Sequence, residues 1–125
     1  MSIDIPEQVL TEVHSFKGNY AAMTFRIEDK TTLMIDKKYS PDTVLSDITG
    51  DLTESECRYV LLQRLDRVLL FYWIPDGSSI KDKQTYQLNA KTVMQSFSAY
   101  TSLYAVHELH ELHELSESSI DNLRG

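Results

Sequence analysis

Cysteine is almost missing from this chain, with Cys57 the sole example among 125 residues. A lone thiol cannot close an internal disulfide, so the fold must rest on packing, and a reducing compartment suits it. No apolar run approaches the ~20 residues that span a bilayer as a helix, and the opening MSIDIPEQ has neither the basic start nor the apolar centre of a secretory signal. A cytoplasmic chain with no membrane span is the expectation. Basic residues are in deficit, 12 Lys and Arg against 19 Asp and Glu, giving a formal net charge of −7. That balance argues against a general nucleic-acid binder, whose affinity rests on neutralising phosphates. Catalytic signatures are lacking too. There is no glycine-rich phosphate loop, no Cys/His pairing with useful spacing and no nucleophile turn of the G-x-S-x-G type. A non-enzymatic protein without a cofactor is expected.

What is present is ordinary globular material, 42% hydrophobic and 25% charged, of a length that suits one domain. The chain is organised around Arg67–Phe97. It opens on Val68 to Ile74, whose unbroken β-branched and aromatic character fits a strand covered on both faces. Pro75-Asp76-Gly77 breaks the run. Ser79-Ile80-Lys81-Asp82 then meets the S-x-x-[DE] pattern of a helix start. At 100° per residue, Tyr86, Ala90, Val93, Phe97 and Tyr100 share the inward face of this long helix, and Lys81, Gln84, Leu88, Lys91 and Gln95 point outward.

Around this stretch the remaining elements fall in order. Ile5 to Phe16 reads as a helix with Asp4 as its N-cap and Pro6 in its first turn. Tyr20 to Ile27 and Thr31 to Asp36 read as a hairpin joined at Glu28-Asp29-Lys30. Ser40-Pro41-Asp42 starts a short helix with Val44, Leu45 and Ile48 on its apolar face, stopped by Gly50. Cys57 to Leu65 is a strand joined to the buried one by a tight connection, Ser102 to Val106 a further short strand, and Ser116 to Leu123 a last helix capped by Ser116. The order α-β-β-α-β-β-α-β-α implies an α/β fold, a mixed sheet sandwiched between helices.

The run RVLLFYWIPDGSSIKDKQTY resembles the stretch of the actin-depolymerising-factor (ADF) homology domain in which a buried strand ends in Trp-Ser-Pro-Asp and leads into a helix with two basic residues and Met-x-Tyr. Cys57-Arg58-Tyr59-Val60-Leu61 is similar to that family's Cys-x-Tyr-aliphatic strand, and Glu114 to Arg124 resembles its short C-terminal helix. The specific motifs lie within about residues 57 to 97, although the element order agrees along the whole chain. The family comprises ADF/cofilins, twinfilins, coactosins and glia maturation factors. The resemblance implies the gelsolin-like ADF-homology fold, a mixed sheet of five to six strands, and actin as partner, bound by a monomeric chain. It also implies that the long helix, assisted by the N-terminal residues, enters a cleft between actin subdomains. By position the contact set is Ser2, Ile3 and Asp4 with Lys81, Lys83, Gln84, Gln87, Leu88 and Lys91. Lys81 and Lys83 match the two basic residues of the pattern, and Tyr86 its inward tyrosine.

Departures from the pattern are informative. The apolar residue after the second basic position is Gln84, the Ala-Ser-Ser-Lys after the tyrosine is Gln87-Leu88-Asn89-Ala90 with Lys91 displaced by one, and basic residues a turn further on are Met94 and Gln95. Leu88, one turn beyond Gln84, is expected to replace the apolar anchor, with Lys81 and Lys91 at its rim. Lys81 and Lys83 oppose the helix macrodipole at roughly 0.3–1 kcal/mol each, which speaks for a function beyond solvation. Lys83 falls nearer the buried flank of a straight helix, which implies a kink after the first turns. Gln63 to Arg67 leaves no room for the projecting loop by which severing members contact filaments, and the C-terminal helix is brief, so binding of monomers over filaments with weak or no severing is expected. Ser2 sits where family members carry a regulatory phosphorylation site, but Ile3 replaces the glycine that usually follows. Asn19-Tyr20-Ala21-Ala22 and Asp36 have some glia-maturation-factor character, and such a protein would bind the actin-branching complex instead. A third reading keeps the fold as a non-actin interaction or metal-binding adaptor.

His107, His110 and His113 recur in a threefold His-Glu-Leu repeat over His107 to Leu115. Their spacing of three is not the i, i+4 pair of zinc proteases, and Cys57 and His14 are isolated, so no metal is assigned. The segment is expected to be solvated, with its leucines covering the sheet edge and its histidines open to a pH-sensitive contact.

Overall fold

The computed structural model describes residues 3–124. Five strands form one sheet in the order β2-β1-β3-β4-β5: β1 Ala22–Glu28, β2 Thr32–Tyr39, β3 Arg58–Arg64, β4 Arg67–Trp73 and β5 Ala105–Leu109. The first three pairings are antiparallel and β4 runs parallel to β5, so the sheet is mixed as expected, at the lower of the two strand counts. Four helices cover it: α1 Glu7–His14, α2 Leu45–Thr49, α3 Ile80–Ser98 and α4 Glu117–Asp121.

Alternation along the strands decides which layer each side chain joins. Val68 and Leu70 of β4 pack with Val13 of α1 and Tyr86, Val93 and Phe97 of α3. Leu69, Phe71 and Trp73 point the other way, against Leu45 and Ile48 of α2 and Ile120 of α4. Strand β4 is therefore covered on both faces, which is why its sequence does not alternate. The Trp73 indole N–H donates to Thr53 O at 2.7 Å, tying the acidic linker to the end of this strand.

Several boundaries differ from the sequence expectation. Helix α1 begins at Glu7 behind Pro6, with no side-chain cap. Asp4 is not its N-cap, because its backbone bridges to Thr32: its N–H donates to Thr31 O at 2.7 Å and its carbonyl accepts from Leu33 N–H at 2.9 Å. Helix α2 begins at Leu45 rather than near Pro41. Ser40 spends its hydroxyl on Asp42 within a turn instead of capping a helix, and Val44 is exposed. Tyr100 falls beyond the end of α3 and is exposed rather than inward. Strand β5 extends through Leu109, taking the first His-Glu-Leu with it. The repeat then breaks at His110 and continues as a 3-10 turn, Leu112–Leu115. Leu109 and Leu115 are buried, whereas Leu112 stays exposed.

Candidate functional site

Helix α3 is presented by a shaped connection. Gly77 lies so close to the linker that a Cβ there would sit 2.3 Å from Glu54 O, which only glycine allows. Beside it Ser78 Oγ donates to Pro75 O at 2.6 Å and Cys57 Sγ to Ser78 Oγ at 3.4 Å, and burial pushes the Cys57 thiol up from its ordinary range. Ser79 caps the helix as expected, its Oγ accepting from Asp82 N–H at 3.1 Å.

The inward face of α3 hangs from the sheet by tyrosine hydroxyls. Tyr86 Oη accepts from Ile27 N–H at 2.8 Å, Tyr59 Oη donates to Tyr86 O at 2.7 Å, and Tyr72 Oη donates to Ala90 O at 3.3 Å. Burial raises the pKa of all three phenols and keeps them neutral. Buried Tyr86, Ala90, Val93 and Phe97 complete the face, as the periodicity predicts.

On the outward face Lys81, Gln84, Leu88 and Lys91 are exposed together, and Leu88 retains 67% of its accessible surface. Two expected members are differently placed. Lys83 is half-buried and turns back, its Nζ donating to Asp76 O at 2.9 Å, so its charge serves the connection before the helix. Gln87 is exposed but its Nε2 donates to Glu108 Oε2 at 3.1 Å, tying α3 to β5. Of the N-terminal residues, Ile3 is buried, with its N–H donating to Asn89 Oδ1 at 3.3 Å, and Asp4 has an exposed side chain. Ser2 lies outside the described residues.

Sequence reasoning missed Ile80. It is 74% exposed and stands four and eight residues before Gln84 and Leu88, so the three form one line along α3. Counting back from Leu88 by helical turns would have found it. The face thus carries two large apolar side chains near either end of a stripe, with Lys81 and Lys91 beside them and Gln84 between. Two exposed large apolar side chains flanked by lysines on an otherwise well-packed helix suit the apolar anchors and polar rim of a protein interface.

The turn between β3 and β4 is two residues long, Leu65-Asp66, since Arg64 and Arg67 are paired in register. The arginines flanking it are already engaged. Arg64 bridges Asp121 at 2.8 Å and Glu117 at 3.2 Å in α4, and the Arg67 guanidinium lies 4.2 Å above the Tyr104 ring.

The three histidines of the repeat have separate partners. His107 Nε2 donates to Arg124 O at 2.6 Å, and His110 Nδ1 to Ile74 O at 2.9 Å. The other His110 nitrogen lies 3.0 Å from Glu108, and His113 Nδ1 lies 3.2 Å from Glu111. Among the described residues no group of three or more potential ligands converges on a metal position.

The sequence profile of the cofilin/tropomyosin-type actin-binding proteins matches residues 2–123. The chain belongs to the cofilin/ADF family. Actin-depolymerizing factor 10 of Arabidopsis thaliana is 30% identical over 80 residues, 56% of this chain and 57% of the relative. Cofilin of Schizosaccharomyces pombe is 26% identical over 84 residues, 61% of each. The matched part therefore spans somewhat more than half the length of these relatives. Among solved structures, Streptomyces griseoflavus cofilin superposes with a TM-score of 0.84 at 16% identity, covering 97% of this chain and 98% of that one. Plasmodium berghei actin depolymerization factor 2 gives 0.81 at 16%, covering 97% and 95%. Glia maturation factor of Caenorhabditis elegans gives 0.74 at 16%, covering 97% and 94%. At such identities these likenesses concern the fold, and they place this cofilin/ADF-family chain within it along nearly its whole length.

Proposed function

We propose that this cofilin/ADF-family chain binds actin monomers through the outward face of α3 and the N-terminal segment, and promotes filament turnover with weak or no severing. The observation that carries the reading is the exposed stripe Ile80–Gln84–Leu88 with Lys81 and Lys91 at its rim. The apolar pair supplies an anchor that is desolvated on docking, and the lysines supply electrostatic orientation toward an acidic partner surface. Membership of the family supports actin as that partner. The two-residue β3–β4 turn supports the preference for monomers, because it offers no long loop to reach a filament, and of its flanking arginines Arg64 is ion-paired to Asp121 and Glu117 while Arg67 stacks over Tyr104. On this reading the chain works in the cytoplasm with the cytoskeleton.

A nucleotide-exchange assay on actin monomers, run beside co-sedimentation with filaments, tests it. The expected outcome is a clear monomer effect, weakened about tenfold by Leu88→Ala in a folded variant. Pelleting with filaments in the absence of any monomer effect would overturn the ordering. One observation favours a second reading. With Lys83 withdrawn to Asp76, the helix start presents a single outward lysine, which suits a glia-maturation-factor-like binder of the actin-branching complex; binding to that complex without actin-monomer binding would select it.

A further inference from the structure

Helix α3 buries one side chain of a kind its packing does not ask for. The inward positions are Tyr86, Ala90, Val93 and Phe97, but Asn89 beside them is also buried, with 3% of its surface accessible. Asparagine is a poor helix former and an unpaired buried amide is costly. Both halves of this amide are in fact used. Nδ2 donates to Thr85 O at 2.9 Å, one turn back in the same helix, and Oδ1 accepts the backbone N–H of Ile3 at 3.3 Å, 86 residues away. The next residue, Asp4, is fixed from the other side by its two backbone hydrogen bonds to Thr31 and Leu33. The Ile3 side chain is buried in the core between these anchor points. The N-terminal segment is thereby strung from the β1–β2 connection to α3, and Asn89 is the only side chain among the described residues that hydrogen-bonds to the Ile3 amide.

We infer that Asn89 is a positioning residue, whose carbonyl oxygen clasps the N-terminal segment to α3 so that this segment and the Ile80–Leu88 stripe present one composite binding surface. It touches the partner with none of its own atoms. Its effect is to keep the segment pre-ordered, so that docking does not have to order it. The inference rests on the reading of α3 as the actin-binding helix.

Three variants test it by amide hydrogen exchange and actin-monomer affinity measured on the same samples. Asn89→Ala removes the acceptor and favours the helix. It is expected to speed exchange of the Ile3 amide at least about tenfold while α3 amides keep their protection, and to weaken monomer binding by about tenfold. Asn89→Asp keeps the Oδ1 acceptor at the same reach while giving up the Nδ2 donor to Thr85 O, which costs stability; among folded molecules it is expected to retain Ile3 protection and bind at least about threefold more tightly than Asn89→Ala. Leu88→Ala is expected to weaken binding with Ile3 protection unchanged. Unchanged Ile3 exchange in Asn89→Ala would overturn the clasp. So would faster exchange with undiminished affinity, or an Asn89→Asp variant that protects Ile3 yet binds no better than Asn89→Ala. If Leu88→Ala weakens binding but Asn89→Ala does not, the clasp alone fails. If neither weakens it, the assignment of α3 fails with it.

Discussion

Leu65 carries a backbone cost that its surroundings do not offset. It sits in the two-residue turn with φ of 56°, a region that costs a side chain with a Cβ roughly 1–2 kcal/mol, and it is 91% exposed, so burial returns little. Leu65→Asn, a residue that tolerates positive φ, is expected to raise the unfolding free energy by about 0.5–1 kcal/mol, read as a higher denaturant midpoint at unchanged slope. Single residues also mark where sequence reading succeeds and fails. Leu88 was legible as outward because its angular position on α3 follows from counting. Counting also puts Lys83 nearer the buried flank, where it is half-buried, but not its partner, since its amine answers the Asp76 carbonyl of the preceding turn and a helical wheel knows nothing of that turn. Asn89 is not legible either, because a polar residue on a helix flank is ordinarily solvated, and its partner lies 86 positions away in sequence.

At the scale of elements, the connection from β4 to α3 matters most, because it sets where the outward face begins. Its tolerance is small at Gly77, whose missing side chain leaves room for the Glu54 carbonyl. Gly77→Ala drives a side-chain Cβ into the Glu54 carbonyl oxygen. It is expected to cost about 1–3 kcal/mol of stability and, by shifting the start of α3, to weaken monomer binding more than Leu65→Asn does; chemical denaturation and the nucleotide-exchange assay measure the two effects. The long helix, the two hairpins and β4 were legible because each has a strong period or an unbroken apolar run. The start of α2 is not legible in the sequence. Ser40-Pro41-Asp42 is compatible both with a cap and with a free-standing turn, and what selects Leu45 as the first helical residue is its burial beneath the sheet, a tertiary effect. The His-Glu-Leu repeat misled for the same reason, since identical tripeptides were divided between a strand and a 3-10 turn by their distance from β4, not by their own composition.

For the molecule as a whole, the C-terminal region is secured by charge. The Arg64 guanidinium holds the Asp121 carboxyl below the usual range. Partial burial works against Glu114, yet the backbone N–H groups of His110 and Glu111, at 2.8 and 2.9 Å, outweigh it and hold its pKa low as well. A carboxylate whose folded pKa lies below its unfolded value adds stability above the unfolded value and loses it as pH falls through the folded one. Since unfolded carboxyls titrate near about 4, these two groups leave stability level from pH 7 to 5 and withdraw it below about pH 4. Thermal melts across that range should show the drop, and it should be smaller in Arg64→Gln, in which the Asp121 share is already gone. The layered sheet and its helices were readable from the order of elements, but this ion pair between β3 and α4 was not, because nothing in the local sequence pairs Arg64 with a residue 57 positions away.

Helix α3 keeps its two duties on separate sides. The tyrosine hydroxyls and apolar residues that suspend it from the sheet are not among those on its exposed outward face. Substitutions at Ile80, Lys81, Gln84, Leu88 or Lys91 consequently meet almost no penalty from folding, and a lineage can exchange them one at a time while every intermediate stays intact. Stability therefore places little constraint on that surface. A gene duplicate of this chain could drift toward a new ligand without passing through a misfolded ancestor.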